Sequence, residues 1–454
     1  MVGSYYSKKG TPVRASVSVP VTLDGRTLLA TGTEVFGEVK RVRRVGLGLV
    51  HETAALELEF THLSLPDGAI PIAARLIEID NARERVGKRG RIHGTRTTSS
   101  MAYRGSRYLT GLVLLGSPAP AIKWVTRSIV AHVTDPEIHI PAGADLTLEL
   151  TEPLELEEVP QTEKATRLIP VERQELVGLS RGLPQRTYTA GRNGAESDLM
   201  NLLVVGSAEQ VGSAFAAAGW EGADPISRRS TWKSIRAVAS GEGYAQAPMS
   251  PHVWRDAAPD MMWQKGLNTL VKRHHLRLWK TPESWNGESV WIGAGTRDIG
   301  IRFFRGGYGV THRVEEDIDL ERSKIVNDLT LSGCVATSDW LERNGGRSES
   351  EHPLGDRIVT DGRIAVIRLQ PCLPPSSSGE QVERPPQGNR FYRLIRRQIL
   401  ITRNDLIRGN IYWKSYEGAR WFTRLVRRRQ VETGEWPKET VAGAQHSGDA
   451  ASGR

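Results

Sequence analysis

The second half of the sequence concentrates histidine, arginine and aspartate side chains that are capable of chemistry. Imidazole, guanidinium and carboxylate groups that meet in one cleft can bind a phosphate, hold a metal ion or transfer protons. The candidate residues are His274, His275, Arg277, Arg297, Asp298, His312, Asp317 and Asp319. Their spacing is not diagnostic of a metal site, so the sequence predicts no metal and no cofactor. A network of structural ion pairs is the alternative to a catalytic cleft.

The residues around these candidates predict strands followed by a helix. If residues 273–277 form a strand, His275 and Arg277 share one face, while His274 points to the other face. One face would then present an imidazole and a guanidinium together. Apolar residues recur near helical spacing over residues 313–331. The acidic side chains of residues 315–321 would form the first turn of that helix, where the helix dipole favours negative charge.

Several familiar catalytic motifs are absent or incomplete. The glycines of residues 293–300 are spaced like a dinucleotide fingerprint, but the following residues predict a strand instead of a helix. We therefore expect a tight turn between two strands there. No Cys-x-x-Cys motif occurs. Cys334 and Cys372 cannot form a disulfide framework, but a single bridge between them stays open, and so does the redox compartment.

The length of 454 residues suggests two or three domains, and the composition is that of a globular protein. Alternating apolar and polar residues predict strands from about residue 12 to 157, with a hairpin turn at residues 65–68. The fold class predicted is α+β multidomain, with an N-terminal all-β barrel-like domain, a central α/β domain and a basic C-terminal helical segment. The predicted segments are a β-barrel-like domain over 1–158, a linker over 159–197, an α/β domain over 198–370, a Pro/Ser-rich linker over 371–388, basic amphipathic helices over 389–430 and a disordered tail over 431–454.

The positive charge of the chain is concentrated near its C-terminus. Residues 390–430 contain ten more basic than acidic side chains, whereas the whole chain carries a net charge of +9. Apolar residues fall near one helical face in this window, and such a helix suits an anionic lipid surface. The predicted anion-binding residues are Arg393, Arg396, Arg397, Arg403, Arg424, Arg427, Arg428 and Arg429. Nucleic acid is a less favoured partner, and the alternative to both partners is that these helices pack on the domain body with their arginines in water.

The central region resembles the LssY C-terminal domain family of bacterial proteins over about residues 198–370. The resemblance is carried by NLLVVG at 201–206 with AGW at 218–220, residues 244–248, RHHLRLW at 273–279, GTRD at 295–298, THR at 311–313 with DID at 317–319, and GD at 355–356 with TDG at 360–362. In that family the domain often accompanies integral-membrane modules and has no settled activity. The first third resembles, more weakly, the β-barrel domain of the outer-membrane channel component of conjugation and type IV secretion systems.

These resemblances imply a bacterial cell-envelope protein, periplasmic or membrane-associated, with a cytoplasmic location as the alternative. The first residues lack the apolar run of a signal peptide, and no apolar stretch reaches the length of a membrane-spanning helix. We expect an envelope-associated binding or scaffold protein whose partner is an anionic membrane surface or an envelope protein. The alternative is a hydrolase that acts on a phosphate ester or lipid through the His/Arg/Asp cluster. The sequence leaves the oligomeric state open.

Overall fold

The structure is a computed structural model of the whole chain. It describes residues 1–24, 26–80, 83–100, 103, 134–141, 143–156, 166–189, 196–240, 244, 246–250, 252–266, 273–303, 310–343, 348–351, 356–372, 390–408, 415–416 and 418–423. Two compact units are present, Met1–Leu400 and Ile401–Arg454.

The described residues are mainly in strands. The strands are β1 Val2–Gly3, β2 Pro12–Ser16, β3 Val21–Leu23, β4 Arg26–Leu29, β5 Glu34–Arg43, β6 Ala55–Leu65, β7 Gly68–Ile79, β8 Arg85–Val86, β9 Arg91–His93, β10 His139–Ile140, β11 Leu146–Leu150, β12 Arg186–Thr189, β13 Glu196–Leu199, β14 Leu202–Val205, β15 Glu221–Gly222, β16 His252–Val253, β17 Met261–Gly266, β18 Arg273–Trp285, β19 Glu288–Phe303, β20 Val310–Val314, β21 Val335–Glu342, β22 Ser348–Glu351, β23 Arg357–Thr360 and β24 Arg363–Leu369. The helices are a short 3-10 turn Thr97–Ser99, then α1 Pro170–Gly182, α2 Ala208–Ala217, α3 Arg228–Ser240, α4 Ile318–Leu331 and α5 Arg390–Arg408.

The N-terminal region forms a seven-stranded antiparallel sheet. Its strands lie in the order β11-β7-β6-β5-β2, and β8 and β9 join through the pairing of β9 with β6. Apolar residues of β6 such as Leu56, Leu58 and Phe60 alternate with polar ones, so that one face of the sheet is buried. The hairpin turn predicted at residues 65–68 is confirmed, since β6 ends at Leu65 and β7 begins at Gly68.

The barrel predicted for this region is wrong for the residues that the structure describes. The sheet is open, because its edge strands β11 and β2 do not pair with each other. Alternation along a strand shows that one face is buried, and an open sheet with a core on one side satisfies that pattern as well as a barrel does. The broader α+β prediction is confirmed.

The central region contains an eight-stranded sheet in the order β15-β17-β18-β19-β14-β24-β21, with β20 paired to β19. Its pairs are antiparallel except for the parallel pair β14–β24. Helices α2 and α4 pack on one face, where Leu276 and Leu278 meet Phe215 and Ile325. Helix α1 covers part of the other face, where Leu176 belongs to the same core as Trp279. Both faces of β18 and β19 are therefore buried.

The glycines of residues 293–300 lie inside the long strand β19, so the turn predicted there is wrong. A Cβ atom at Gly295 would lie 2.6 Å from the Ile325 Cδ1 atom of helix α4. At Gly293 a Cβ atom would lie 2.7 Å from the Leu278 Cδ2 atom. These glycines let the helix and the neighbouring strand side chains approach the sheet closely, and that packing role accounts for their spacing.

The second half of the segment predicted as a linker, residues 159–197, contains α1, β12 and part of β13. Pro170 occupies the start of α1, where a proline is tolerated because the first turn has no backbone acceptor for its missing N–H. The buried guanidinium of Arg343 donates to the carbonyl oxygens of Ser180 at 3.2 Å, Met200 at 3.0 Å and Leu183 at 2.6 Å. Burial lowers the pKa of Arg343 to about 10. This arginine fastens the end of α1 to the central sheet.

A disulfide joins Cys334, just after α4, to Cys372, just after β24. The two residues are 38 positions apart, and Cys334 is completely buried. The bridge ties the C-terminal end of the central sheet to the helix that covers it. Among the described helices, none combines the length and the apolar character needed to span a membrane.

We expect the purified chain to contain this bridge. Alkylation of the denatured, unreduced protein should modify neither Cys334 nor Cys372, and a peptide pair that contains both should appear in a non-reducing digest. The same protein treated first with a reductant supplies the control, and there both thiols should be alkylated. Two free thiols before reduction would contradict the prediction.

Candidate functional site

Strand β18 directs its two adjacent histidines to opposite faces of the central sheet. The side chain of His274 lies on the α4 side, where it contacts Glu321. His275 and Arg277 share the other face with Asp298 and Asp198. The candidate residues of β18 and β19 therefore belong to two separate clusters instead of one cleft.

The first cluster, here called the His274 network, surrounds an imidazole that is about 1% exposed. The His274 Nδ1 atom lies 2.6 Å from Glu321 Oε2, and its Nε2 atom lies 3.1 Å from Asp80 Oδ2. Arg297 Nη2 donates to the other oxygen of Asp80 at 2.7 Å. Asp80 follows β7 of the seven-stranded N-terminal sheet, so this network connects that sheet with the eight-stranded central sheet.

The network continues along helix α4 through Lys324. Its ammonium group lies 2.6 Å from a carboxylate oxygen of Asp145 and 3.1 Å from one of Asp328. Lys265 Nζ and the Trp220 indole N–H both donate to Asp328, each at 3.0 Å. In all, four cationic groups face four carboxylates. The cations are His274, Arg297, Lys324 and Lys265, and the carboxylates are Asp80, Glu321, Asp145 and Asp328.

The charges of this network decide the protonation state of His274. Burial lowers the pKa of a histidine, but the charge of Glu321 and the hydrogen bonds to Asp80 and Glu321 outweigh burial and raise the His274 pKa to about 9. Burial would raise the pKa of Asp80, yet His274 and Arg297 hold it below its ordinary value. The pKa of Lys324 is raised, because Asp328 and Asp145 outweigh its burial. His274 is therefore an imidazolium at neutral pH.

Ligand atoms of Asp80, Asp145 and His274 lie within 4.8 Å of one another, which is close enough to surround a metal ion. A metal needs the neutral imidazole as its ligand, with one ring nitrogen available. Here both ring nitrogens lie against carboxylates, and Arg297 and Lys324 already balance the acidic groups. The donor set fits an ion-pair network better than it fits a cation site.

The second cluster, the His275 cluster, lies on the opposite face. His275 Nε2 lies 2.7 Å from Asp298 Oδ2, and Arg273 Nε lies 3.6 Å from the same oxygen. Arg277 Nη1 donates to Asp198 at 2.8 Å. Burial lowers the pKa of His275 to about 4, and the charges of Arg273 and Arg277 act in the same direction as burial. The ring is therefore neutral at pH 7, beside two arginine–aspartate pairs.

Asp198 also brings a serine and a second histidine into this cluster. His252 Nδ1 lies 3.0 Å from Asp198 Oδ2, and His252 Nε2 lies 3.5 Å from the Ser197 hydroxyl. A carboxylate, an imidazole and a serine hydroxyl in this order are the groups that activate the serine nucleophile of hydrolases. However, Ser197 is completely buried, whereas a nucleophile must touch its substrate, and Asp198 Oδ2 is shared with Arg277. The arrangement therefore acts as a closed polar core between β13, β16 and β18.

The remaining candidates lie at the start of helix α4. Asp317 is the N-cap of the helix and accepts from the Asp319 backbone N–H at 3.1 Å. The Asp319 carboxylate accepts from the Thr360 hydroxyl at 2.9 Å and from the Asp361 backbone N–H at 2.6 Å. His312 lies on β20, and its side chain is outside the described residues. These aspartates hold the helix start against the loop that follows β23.

Most of the contact partners in both clusters were missed by the sequence reasoning. They are Asp80, Asp145, Asp198, His252, Lys265, Lys324 and Asp328. Arg273 and Glu321 are not among them, since they lie in the motif of residues 273–277 and in the acidic run of residues 315–321. The missed residues come from other strands and helices, so no spacing in the sequence marks them.

The predicted anion-binding arginines differ in their surroundings. Arg393 is exposed on helix α5 together with Phe391, Leu394 and Ile395. Arg396 is buried in the first unit, where it lies 3.1 Å from Glu137 and 3.3 Å from Asp135.

Two further arginines of α5, Arg397 and Arg403, are partly buried, and burial lowers the pKa of Arg397. Arg424, Arg427, Arg428 and Arg429 lie outside the described residues. Exposed aromatic side chains continue at Tyr416, Trp421 and Phe422.

The central region is a layered α+β structure, because its mostly antiparallel eight-stranded sheet has helices on both faces and a buried ion-pair cluster on each face. Residues 182–364 match the family described as LssY C-terminus. The resemblance predicted from the motifs of residues 198–370 is thereby confirmed. No curated protein and no solved structure is significantly similar to the chain. The weaker resemblance of the first third stays a prediction.

Proposed function

We propose that this chain is a cell-envelope-associated binding or scaffold protein that docks on an anionic membrane surface through its basic C-terminal segment. The observation that carries the proposal is a set of large apolar side chains exposed among arginines. Phe391 and Leu394 are 68% and 47% exposed on α5 beside Arg393, and Trp421 is 64% exposed beside Arg420. Aromatic rings settle at the headgroup level of a bilayer, while arginines bind its phosphates.

The geometry gives less support to the alternative of a hydrolase. Its candidate residues face opposite sides of the sheet, and His274 and His275 are 1% and 4% exposed. Each imidazole already lies against a carboxylate within its own cluster. A general acid or base must reach a substrate proton, and neither side chain reaches the surface. Perturbed pKa values also occur in structural ion-pair networks, so they do not favour catalysis here.

The disulfide Cys334–Cys372 supports the envelope part of the proposal. Structural disulfides persist mainly in oxidising compartments such as the bacterial periplasm, and they are rare in the cytosol. Under the proposal, the chain works outside the cytoplasmic reducing environment, on the surface of a membrane.

Vesicle binding by the full-length chain tests the docking segment. We expect the double substitution Trp421→Glu and Phe422→Glu to weaken the affinity for anionic vesicles by about tenfold or more. The reason is that two interfacial aromatic rings are replaced by carboxylates, which the anionic headgroups repel. The measurement compares vesicles of phosphatidylglycerol and phosphatidylcholine with vesicles of phosphatidylcholine alone, at low and high salt.

A matched control is available at Leu49 and Val50, which are 66% and 74% exposed in the N-terminal region. The substitutions Leu49→Glu and Val50→Glu add the same charges at another exposed apolar site, and they should leave vesicle binding unchanged. Equal binding of anionic vesicles by the Trp421/Phe422 variant and the wild type would contradict the docking proposal. Salt-sensitive binding to duplex DNA without binding to vesicles would favour nucleic acid instead.

A further inference from the structure

Helix α3 (Arg228–Ser240) is a surface helix of the central region with a strongly basic sequence. It contains Arg228, Arg229, Lys233 and Arg236 and no acidic residue. Its first turn is held by serines, since Ser227 Oγ accepts from the Ser230 backbone N–H at 3.0 Å. The Ser230 hydroxyl donates in turn to the Pro225 carbonyl oxygen at 2.9 Å. The start of the helix is therefore fixed on the protein while its outer side faces water.

The large apolar side chains of α3 point away from the protein. Trp232 is 66% exposed and Ile235 is 55% exposed, and Ile226 just before the helix is 60% exposed. Among the side chains of α3 that the structure describes, up to Ala237, the buried ones are small, namely Ser230 and Ala237. With about 100° of rotation per residue, positions 230 and 237 share one side of the helix, and positions 232 and 235 lie on the opposite side. An ordinary surface helix has the reverse arrangement, with its large apolar residues inside.

The composition of the outer side identifies the kind of partner that it fits. Trp232 and Ile235 supply the apolar contact, and Arg228, Arg229 and Arg236 surround them with positive charge. Single exposed apolar residues are common, but a tryptophan and an isoleucine on one side of a basic helix are typical of a helix that lies in a lipid headgroup layer. Lys233 lies 3.4 Å from Asp224 at the inner edge, so it contributes less to this surface.

We infer that helix α3 is a second membrane-docking element, which inserts Trp232 and Ile235 among anionic lipid headgroups. The inference rests on the proposed function, because it assumes that the chain works at a membrane surface. It places a lipid contact within the region that matches the LssY C-terminus family, independently of the basic C-terminal segment. Charge complementarity selects anionic lipid, since the helix carries three arginines besides Lys233 and contains no carboxylate.

The test uses four full-length proteins: the wild type, the variant with Trp232→Glu and Ile235→Glu, the variant with Trp421→Glu and Phe422→Glu, and the variant with all four substitutions. Binding to phosphatidylglycerol-containing vesicles and to pure phosphatidylcholine vesicles is measured by sedimentation. The α3 variant should bind anionic vesicles about tenfold more weakly than the wild type, and the combined variant should not bind detectably. The melting temperature of the α3 variant should match that of the wild type, because both substituted side chains are exposed.

The outcomes separate this inference from the proposed function. If the α3 variant binds as the wild type does while the C-terminal variant does not, the inference is overturned and the C-terminal docking stands. If only the α3 variant loses binding, the inference stands and the C-terminal segment is not the docking element. Equal affinity of the wild type for neutral and anionic vesicles would overturn the headgroup assignment. A wild-type dimer that the α3 substitutions dissociate, without any vesicle binding, would show that a second copy covers this surface and would overturn the inference as well.

Discussion

Replacing Glu321 by glutamine should destabilise the protein by about 3 kcal/mol, since removing one partner of a buried ion pair leaves the other charge uncompensated. Glu321 is 2% exposed, and its carboxylate lies 2.6 Å from His274 Nδ1. Glutamine has nearly the same volume and keeps an acceptor oxygen, so the loss reports the charge and not a cavity. The measurement is the midpoint of thermal or urea unfolding at pH 6, where His274 is fully protonated.

An exposed ion pair of similar length serves as the control. Arg357 and Glu349 lie 2.8 Å apart, and each side chain is more than half exposed. Since solvent screens such pairs, Glu349→Gln should leave the unfolding midpoint unchanged within error. If Glu321→Gln and Glu349→Gln behave alike, the His274 network does not contribute to stability in the way described here.

The same substitution should loosen the contact between the seven-stranded N-terminal sheet and the eight-stranded central sheet. Asp80 and Asp145 come from the N-terminal sheet region, whereas His274, Glu321 and Lys324 belong to the region matched by the family. When the imidazolium loses Glu321, the attraction that remains is to Asp80 alone. Hydrogen exchange of amides in β7 and β18 should therefore increase together in the variant, because these strands carry the two ends of the contact.

The sequence predicts those parts of the structure that depend on neighbouring residues. The alternation along β18 places His275 and Arg277 on one face, and the residues Leu65 to Gly68 mark a hairpin, because strand geometry and turn chemistry act locally. Helix α4 was likewise expected from its apolar spacing and its acidic start. In each case the physical cause lies within a few residues of its effect.

The remaining features depend on contacts between distant parts of the chain. Asp80 is 194 positions before its partner His274, so no local sequence pattern predicts the pair. The spacing of Gly295 predicts a turn, but the residue lies inside a strand. A glycine is needed at this position because the Ile325 side chain of α4 packs closely against the strand. The outward direction of Trp232 also escapes sequence reasoning, since an amphipathic pattern predicts that the large apolar side chains of a helix face the protein.

The two adjacent histidines should give the protein a stability maximum near pH 6.5. The pKa of His274 is raised from 6.5 to about 9, so its contribution is complete below pH 6.5 and is lost as the pH rises through 9. The pKa of His275 is lowered from 6.5 to about 4, so its contribution is complete above pH 6.5 and is lost as the pH falls through 4. At 1.36 kcal/mol for each pKa unit, the unfolding free energy lost on each side of the maximum amounts to about 3 kcal/mol.

Single substitutions test whether the alkaline decline in unfolding free energy comes from His274 and the acidic decline from His275. Glu321→Gln removes the main cause of the raised His274 pKa, and it should flatten the decline in unfolding free energy between pH 6.5 and 9. His275→Gln should flatten the decline below pH 6.5 only in part, because the lowered pKa values of Asp80 and Asp328 also cost stability as these carboxylates become protonated in acid. The measurement is the free energy of urea unfolding at half-unit pH intervals. A wild-type profile without decline from pH 6.5 to 9 would contradict a buried imidazolium at His274, because a histidine that is neutral in the folded state releases no proton over that range.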